Sequence, residues 1–172
     1  LLSRETHGKV KIEDAGFDWK IIGPDVGDVD YVAWQCDQDA YAATGQKCSA
    51  QSIMFYHENW NDSGFLEKVK ANATSRSLDN LSIAPVMTVT TEAFLKHTAR
   101  LMEIPGAKLL FGGKELEKHN IPKKYGAVYP TAVYVPIEEM LKPENFGACA
   151  TEIFGPFQVV TSFTDSTVDL VL

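Results

Sequence analysis

The sequence is short of cysteine, has no long apolar run and carries no excess of positive charge, and each shortage closes off a class of function. Only Cys36, Cys48 and Cys149 are present among 172 residues. They are too few and too widely spaced for a disulfide scaffold, and no Cys-x-x-Cys or His-x-x-x-His pair offers a zinc site, so a reducing compartment fits best. The four histidines (His7, His57, His97, His119) have no ligand spacing and are read as surface or core residues. No apolar stretch approaches the roughly 20 residues needed to span a bilayer, and Leu1-Leu2 runs straight into Ser3-Arg4-Glu5-Thr6-His7, unlike a signal peptide. A soluble chain with no membrane partner is expected. Lys and Arg number 16 against 23 Asp and Glu, a net charge of −7, and the basic residues are scattered. A phosphate backbone is repelled by such a surface, which argues against nucleic acid as a partner. Internal repeats and low-complexity tracts are also lacking.

What is present is the make-up of one globular domain, with 45% hydrophobic and 23% charged residues, enough to bury a sizeable core. Short β-type runs alternate with helical patterns, which predicts an α/β fold: crossover units building a mainly parallel sheet flanked by helices. Val10–Ile12 and Trp19–Ile22 read as strands. Val29–Thr44 reads as a helix with Val29, Val32, Ala33, Cys36 and Ala40 on one apolar face, stopping at Gly45. Ser52–His57 is a strand and Ser63–Ala73 a helix. Thr91–Glu103 is a further helix, capped by Thr90, with Glu92 at the positive end of its dipole and Pro105-Gly106 at its close. Lys108–Phe111, Thr131–Val135 and Phe157–Phe163 read as strands, with a Pro-rich connection through Pro136 and Pro143 between the last two. Asp165-Ser166 opens what reads as another helix, and its truncation near Leu172 suggests a fragment of a longer protein.

The segment richest in chemistry is Gly45-Gln46-Lys47-Cys48-Ser49-Ala50-Gln51, a cysteine in a small-residue loop between a helix and a strand. Such a loop allows close approach of a substrate. A free thiol has a pKa near 8.5, so a nucleophile working at neutral pH needs it lowered by ~1.5 units; Lys47 and the loop N–H groups are candidates for that task. Taken alone, a cysteine is more often a small buried apolar group than a nucleophile. Cys36 on its helical face is read that way, and Cys149 as packing or an incidental loop thiol.

Two further segments distinguish Cys48. Gly45-Gln46-Lys47-Cys48 resembles the cysteine signature of the aldehyde dehydrogenase family, and Glu152-Ile153-Phe154-Gly155-Pro156 resembles that family's nicotinamide-side motif. Lys11-Ile12-Glu13-Asp14-Ala15-Gly16 is similar to its glutamate segment, which normally reads Glu-Leu-Gly-Gly. Glu13 precedes Cys48 by 35 positions and Glu152 follows it by 104, in the family's order and approximate separations. Each match has a bland reading by itself: a solvated acid for Glu13, a strand-entry turn with Phe154 in the core for the last motif. Jointly those readings explain the spacing poorly. Finer matches, among them Gln46-Lys47-Cys48-Ser49-Ala50, Glu13-Asp14-Ala15-Gly16-Phe17-Asp18-Trp19-Lys20 and Cys36-Asp37-Gln38-Asp39-Ala40-Tyr41, resemble the branch that oxidises glutamate semialdehyde in proline breakdown.

The resemblance implies an NAD-dependent covalent oxidation of a small-molecule aldehyde. Cys48 is its nucleophile, Glu13 the general base for hydrolysis, Glu152 the group that holds the nicotinamide ribose, and Phe154 the ring packed beside the nicotinamide. Ser49 either hydrogen-bonds the substrate or caps a turn. It further implies that residues 1–15 end a cofactor-binding domain, that 16–172 belong to the catalytic domain, that the full-length enzyme is a homo-oligomer, and that it works in the mitochondrial matrix. Ala15 and Phe17 depart from the family's usual Gly and Lys. The nucleotide-binding fold, the oxyanion-hole amide, the carboxylate-gripping loop and the oligomerisation tail have no counterpart in the sequence. Two other readings stay open: an aldehyde dehydrogenase of other substrate specificity, and a truncated product serving as a binding or structural protein; a thiol hydrolase using Cys48 with a distant histidine is disfavoured, because no histidine segment offers a partner motif and the Glu152–Pro156 motif is left unexplained.

Overall fold

In a computed structural model, which describes residues 2–10 and 16–172, a five-stranded sheet separates two layers of helices. A short helix, α1 (Leu2–Glu5), comes first, followed by β1 (Asp18–Ile22), α2 (Val29–Tyr41), β2 (Gln51–His57), α3 (Phe65–Thr74), α4 (Thr91–Met102), β3 (Lys108–Phe111), β4 (Thr131–Tyr134), α5 (Ile137–Met140), α6 (Pro143–Cys149) and β5 (Phe157–Phe163). The strand order is β1-β2-β5-β4-β3. The β1–β2, β2–β5 and β4–β5 pairs are parallel and β3–β4 is antiparallel. The expected α/β class with a mainly parallel sheet is therefore the observed one.

Parallel strands joined by crossover helices are covered on both faces, which favours apolar side chains on both sides of a strand, as in Ile53-Met54-Phe55-Tyr56 of β2. In β2, Ile53 and Phe55 face one layer while Met54 and Tyr56 face the other; in β5, Val159 and Val160 divide the same way. One face packs against Phe94 and Leu101 of α4, Ile137 and Met140 of α5, and Ala148 and Cys149 of α6. The opposite face packs against Ala33, Cys36, Ala40 and Tyr41 of α2 and Phe65, Val69 and Ala73 of α3. A buried ion pair also ties α2 to the segment just after α3, with the Arg76 guanidinium donating to both carboxylate oxygens of Asp37 at 3.1 and 2.5 Å.

Helix α4 begins and ends as its sequence predicts: the Thr90 hydroxyl accepts from the Ala93 N–H at 3.2 Å, and Glu92 lies in the first turn. Its His97 packs edge-on against Phe157 with ring centroids 5.1 Å apart. Burial, reinforced by Arg100, pushes the imidazole down to about 4, so it is neutral at physiological pH.

Several expected boundaries shift. Helix α2 stops at Tyr41, three residues before Thr44. Helix α3 begins at Phe65, after a 3₁₀ turn over Glu58–Ser63. Only a 3₁₀ turn, Val168–Leu170, forms where a helix from Asp165 is expected. The connection between β4 and β5 is two short helices instead of an irregular loop, because Pro136 and Pro143 act as starts: Pro136 is the N-cap residue of α5 and Pro143 stands in the first turn of α6, where a missing N–H costs nothing. Cys149 thereby becomes a buried helical residue. In the expected strand Val10–Ile12, Val10 has no regular structure and the remainder lies outside the described residues.

Candidate functional site

The site is assembled at the N-terminal ends of β1, β2 and β5. Cys48 sits in a turn closed by the Ala50 N–H donating to the Lys47 carbonyl at 3.0 Å, immediately before β2. Between α2 and this turn the chain makes three successive left-handed residues, Ala43 (φ 52°), Thr44 (φ 58°) and Gly45 (φ 67°). A non-glycine residue in that region costs about 1–2 kcal/mol and persists only where its surroundings hold it. Here they do: Thr44 is buried, and its hydroxyl accepts from the Ala84 N–H at 2.6 Å. The Gln46 amide donates to the Val86 carbonyl at 3.0 Å and accepts from the Thr88 N–H at 3.1 Å. Residues 84–88 are thus a strap that fixes the approach to Cys48.

The three cysteines differ sharply. Cys36 and Cys149 are 0% and 1% exposed, and burial pushes both thiols up to about 11, leaving a thiolate fraction on the order of 10⁻⁴ at pH 7. Cys48 is exposed, as is Ser49 beside it. Access, a requirement for a reactive thiol, is therefore met at Cys48 alone.

Glu152 and Phe154 lie in the loop between α6 and β5, and this loop is seated on the Cys48 segment. A Cβ added to Gly45 would stand 2.1 Å from the Gly155 carbonyl oxygen and 2.5 Å from its carbon, so the two backbones touch. Gly45, Ala50, Gln51 and Ser52 line a small cavity with Thr151, Glu152, Ile153, Phe154 and Gly155, about 10 Å³ in volume, room for about one water molecule. Phe154 has a left-handed backbone (φ 53°) and a 39% exposed ring; it is not the core residue that the bland reading of its motif expects. Burial, with the Asp18 carboxylate adding to it, raises the Glu152 carboxyl above its ordinary range.

Glu13 lies outside the described residues. The missing side chain of Gly16 leaves room for the Cys48 carbonyl: a Cβ there would be 3.2 Å from that oxygen and 3.3 Å from an Asp18 carboxylate oxygen. Cys48, Ser49, Glu152 and Phe154 are thus gathered at one end of the sheet, with Gly16 beside the Cys48 turn. His57 lies at the other end of β2, paired with Asp165 at 3.2 Å, roughly 20 Å along a seven-residue strand. It is no partner for Cys48. Among the described residues there is no cluster of metal-ligating side chains and no helix long and apolar enough to cross a membrane.

Sequence reasoning missed Asp18, Gln46 and the 84–88 strap. Asp18 reads as a strand-entry acid, and nothing in Ala84-Pro85-Val86-Met87-Thr88 signals that Gln46 will bind it. The Gly45–Gly155 contact was equally invisible, and it sets a test. In the full-length protein Gly45→Ala meets both a left-handed φ and a backbone collision, so a loss of about 2–4 kcal/mol is expected. Denaturant melts will show it, whereas a change within 0.5 kcal/mol would mean that the two loops are not packed as described.

Known proteins resemble the chain in sequence and in fold. Residues 2–169 match the sequence model of the aldehyde dehydrogenase family. A protein described as a probable aldehyde dehydrogenase from Linum usitatissimum is 60% identical over 171 residues. Delta-1-pyrroline-5-carboxylate dehydrogenase 12A1, mitochondrial, from Arabidopsis thaliana is 58% identical over 172 residues. Each alignment covers 99% of this chain, which spans 31% of either relative's length. Among solved structures, that of PnpE in complex with nicotinamide adenine dinucleotide superposes with a TM-score of 0.71 at 20% identity, over 98% of this chain and 34% of the other, a likeness of fold. With the family model matching nearly end to end and two curated relatives near 60% identity, the chain belongs to the aldehyde dehydrogenase family.

Proposed function

We propose that this chain supplies the nucleophile, the hydrolytic base and the nicotinamide-side loop of an NAD-dependent dehydrogenase that oxidises L-glutamate γ-semialdehyde to glutamate. The observation that carries this reading is the contact of the exposed-cysteine segment with the Glu152–Phe154 loop, backbone on backbone at Gly45 and Gly155. The name of the Arabidopsis relative supports the substrate, and its mitochondrial designation supports the matrix as the place of work.

The residues fit the cofactor's reactive end. Glu152 and Phe154 are two positions apart on an accessible loop, a carboxylate for the ribose hydroxyls and an aromatic face for the nicotinamide. In the reaction, the Cys48 thiolate adds to the aldehyde carbon, forming a C–S bond and moving the carbonyl π pair onto oxygen, where the Cys48 N–H stabilises it. Collapse of that oxyanion restores the C=O bond and expels hydride, leaving a thioester on Cys48. Acceptance of that hydride is the chemistry NAD would supply when bound, with Glu152 and Phe154 holding its nicotinamide end. Glu13 then takes a proton from water, whose oxygen adds to the thioester carbon; the C–S bond breaks, the pair returns to sulfur, and the carboxylate product departs.

The direct test is NADH production by the full-length protein with glutamate semialdehyde, set against propanal, an ester and NADP. Preference for the semialdehyde with NAD is expected, and ester hydrolysis without any NADH formation would favour a thiol hydrolase instead.

The raised Glu152 carboxyl adds a pH prediction. Ribose hydroxyls donate to an ionised carboxylate, so NAD affinity will weaken as pH falls through the raised pKa, at a higher pH than an unperturbed glutamate would dictate. Asp18→Asn removes one of the two causes and leaves burial, so the acid limb of NAD binding should move to lower pH. An unmoved limb in a profile of KM for NAD would remove Glu152 from the role.

A further inference from the structure

Beneath the site runs a directional chain of buried hydrogen bonds that neither nucleophile, base nor cofactor loop accounts for. The Gln51 amide donates to the Gln158 side-chain oxygen at 2.5 Å, the Gln158 amide donates to the Tyr41 hydroxyl at 2.9 Å, and that hydroxyl donates to the Thr131 carbonyl at 3.1 Å. Gln51 is 3% exposed and the other three are fully buried. Two buried amides are a costly way to fill a sheet layer, since each polar atom must be matched. Gln51 Oε1 is nevertheless buried without a protein partner, and Gln51 lines the cavity shared by the Cys48 turn and the 151–155 loop.

The position of the relay gives it a purpose. Gln51 follows Cys48 by three residues, and Gln158 follows Phe154 by four. The backbone pairing of β2 with β5 starts only at Ile53 and Val159, so the side-chain bond ties the two strands just ahead of their ladder, on the side where the site lies. We propose that Gln51 and Gln158 are positioning residues that hold the Cys48 turn in register with the 151–155 loop, fixing the distance over which hydride passes from the cysteine-bound substrate to the nicotinamide. The inference rests on the roles given above to Cys48 and to that loop. Hydride transfer needs both segments aligned, and a displacement near 1 Å can cost roughly 100-fold. Attack on a small electrophile needs only the Cys48 turn.

The experiment uses the full-length enzyme carrying Gln51→Met or Gln158→Met, which keep side-chain length and lose the amide. Rapid mixing with NAD and glutamate semialdehyde reads the NADH burst, and mass spectrometry reads Cys48 labelling by iodoacetamide. Expected is a burst slowed roughly 10- to 100-fold in each variant, Cys48 labelling within about twofold of wild type, and a double variant no slower than the slower single one, as for two halves of one interaction. A burst left intact overturns the proposal. So does a parallel fall of burst and labelling, or failure of both variants to fold, either of which makes the relay a support of the fold alone. A wild-type protein that gives no burst but labels at Cys48 overturns the dehydrogenase reading itself, a result distinct from an intact burst in the variants.

Discussion

Cys48→Ala in the full-length protein is expected to abolish aldehyde oxidation, with turnover falling by roughly 10³–10⁶-fold, the range for removing a nucleophile that works together with its base. The covalent route has no substitute for sulfur, which must both attack the aldehyde and leave the thioester. NAD affinity should change little, because the cofactor loop is held through Gly45–Gly155 and not through the thiol. The same reasoning applies to labelling. An electrophilic aldehyde analogue should modify Cys48 much faster than Cys36 or Cys149, which are buried and whose thiols are pushed up to about 11. Equal labelling of the three in the folded protein, or turnover retained without Cys48, would end the proposed mechanism.

The two glutamates should separate in time. In the proposed mechanism Glu13 acts after hydride has left, so Glu13→Gln should preserve a single-turnover burst of NADH while steady-state turnover drops by roughly 10²–10⁴-fold, as for loss of a general base. The proposal gives Glu152 the task of holding the cofactor, so Glu152→Gln should slow the burst itself by letting the nicotinamide drift from hydride-transfer distance. Absorbance at the NADH maximum after rapid mixing decides between them. A burst abolished by Glu13→Gln and untouched by Glu152→Gln would reverse the assignment while leaving the family membership in place.

Much of this was legible in the linear sequence because it depends on neighbours. The apolar run Ile53-Met54-Phe55-Tyr56 and the β-branched and aromatic residues of Phe157–Phe163 announce buried strands, and both lie in the sheet with side chains divided between the two helical layers. Thr90, Glu92 and Pro105-Gly106 mark the ends of α4 through capping and ring closure, which act within one turn. Where local signals conflicted, they misled. Ala42-Ala43-Thr44 is compatible with helix, yet the chain turns left-handed there, because the buried Thr44 hydroxyl and the Gln46 amide are bound by a strap some 40 residues away. Pro136 and Pro143 read only as a Pro-rich connection between two strands and are helix starts, positions where the missing N–H has no helical partner to lose.

The sequence by itself determined the layered α/β class and the isolation of Cys48 in a small-residue loop between helix and strand, since both follow from periodicity and composition read over a few turns; the three motif segments were legible in it through their resemblance to a known family. The tertiary structure alone decided that Gly45 lies against Gly155, that the Asp18 carboxylate acts on Glu152, and that Gln51 is bonded to Gln158. The physical reason is separation: these partners come from strands and loops more than 100 positions apart, brought to one end of a mainly parallel sheet by crossover helices. No local propensity specifies such a meeting; only the joint burial of both sheet faces does.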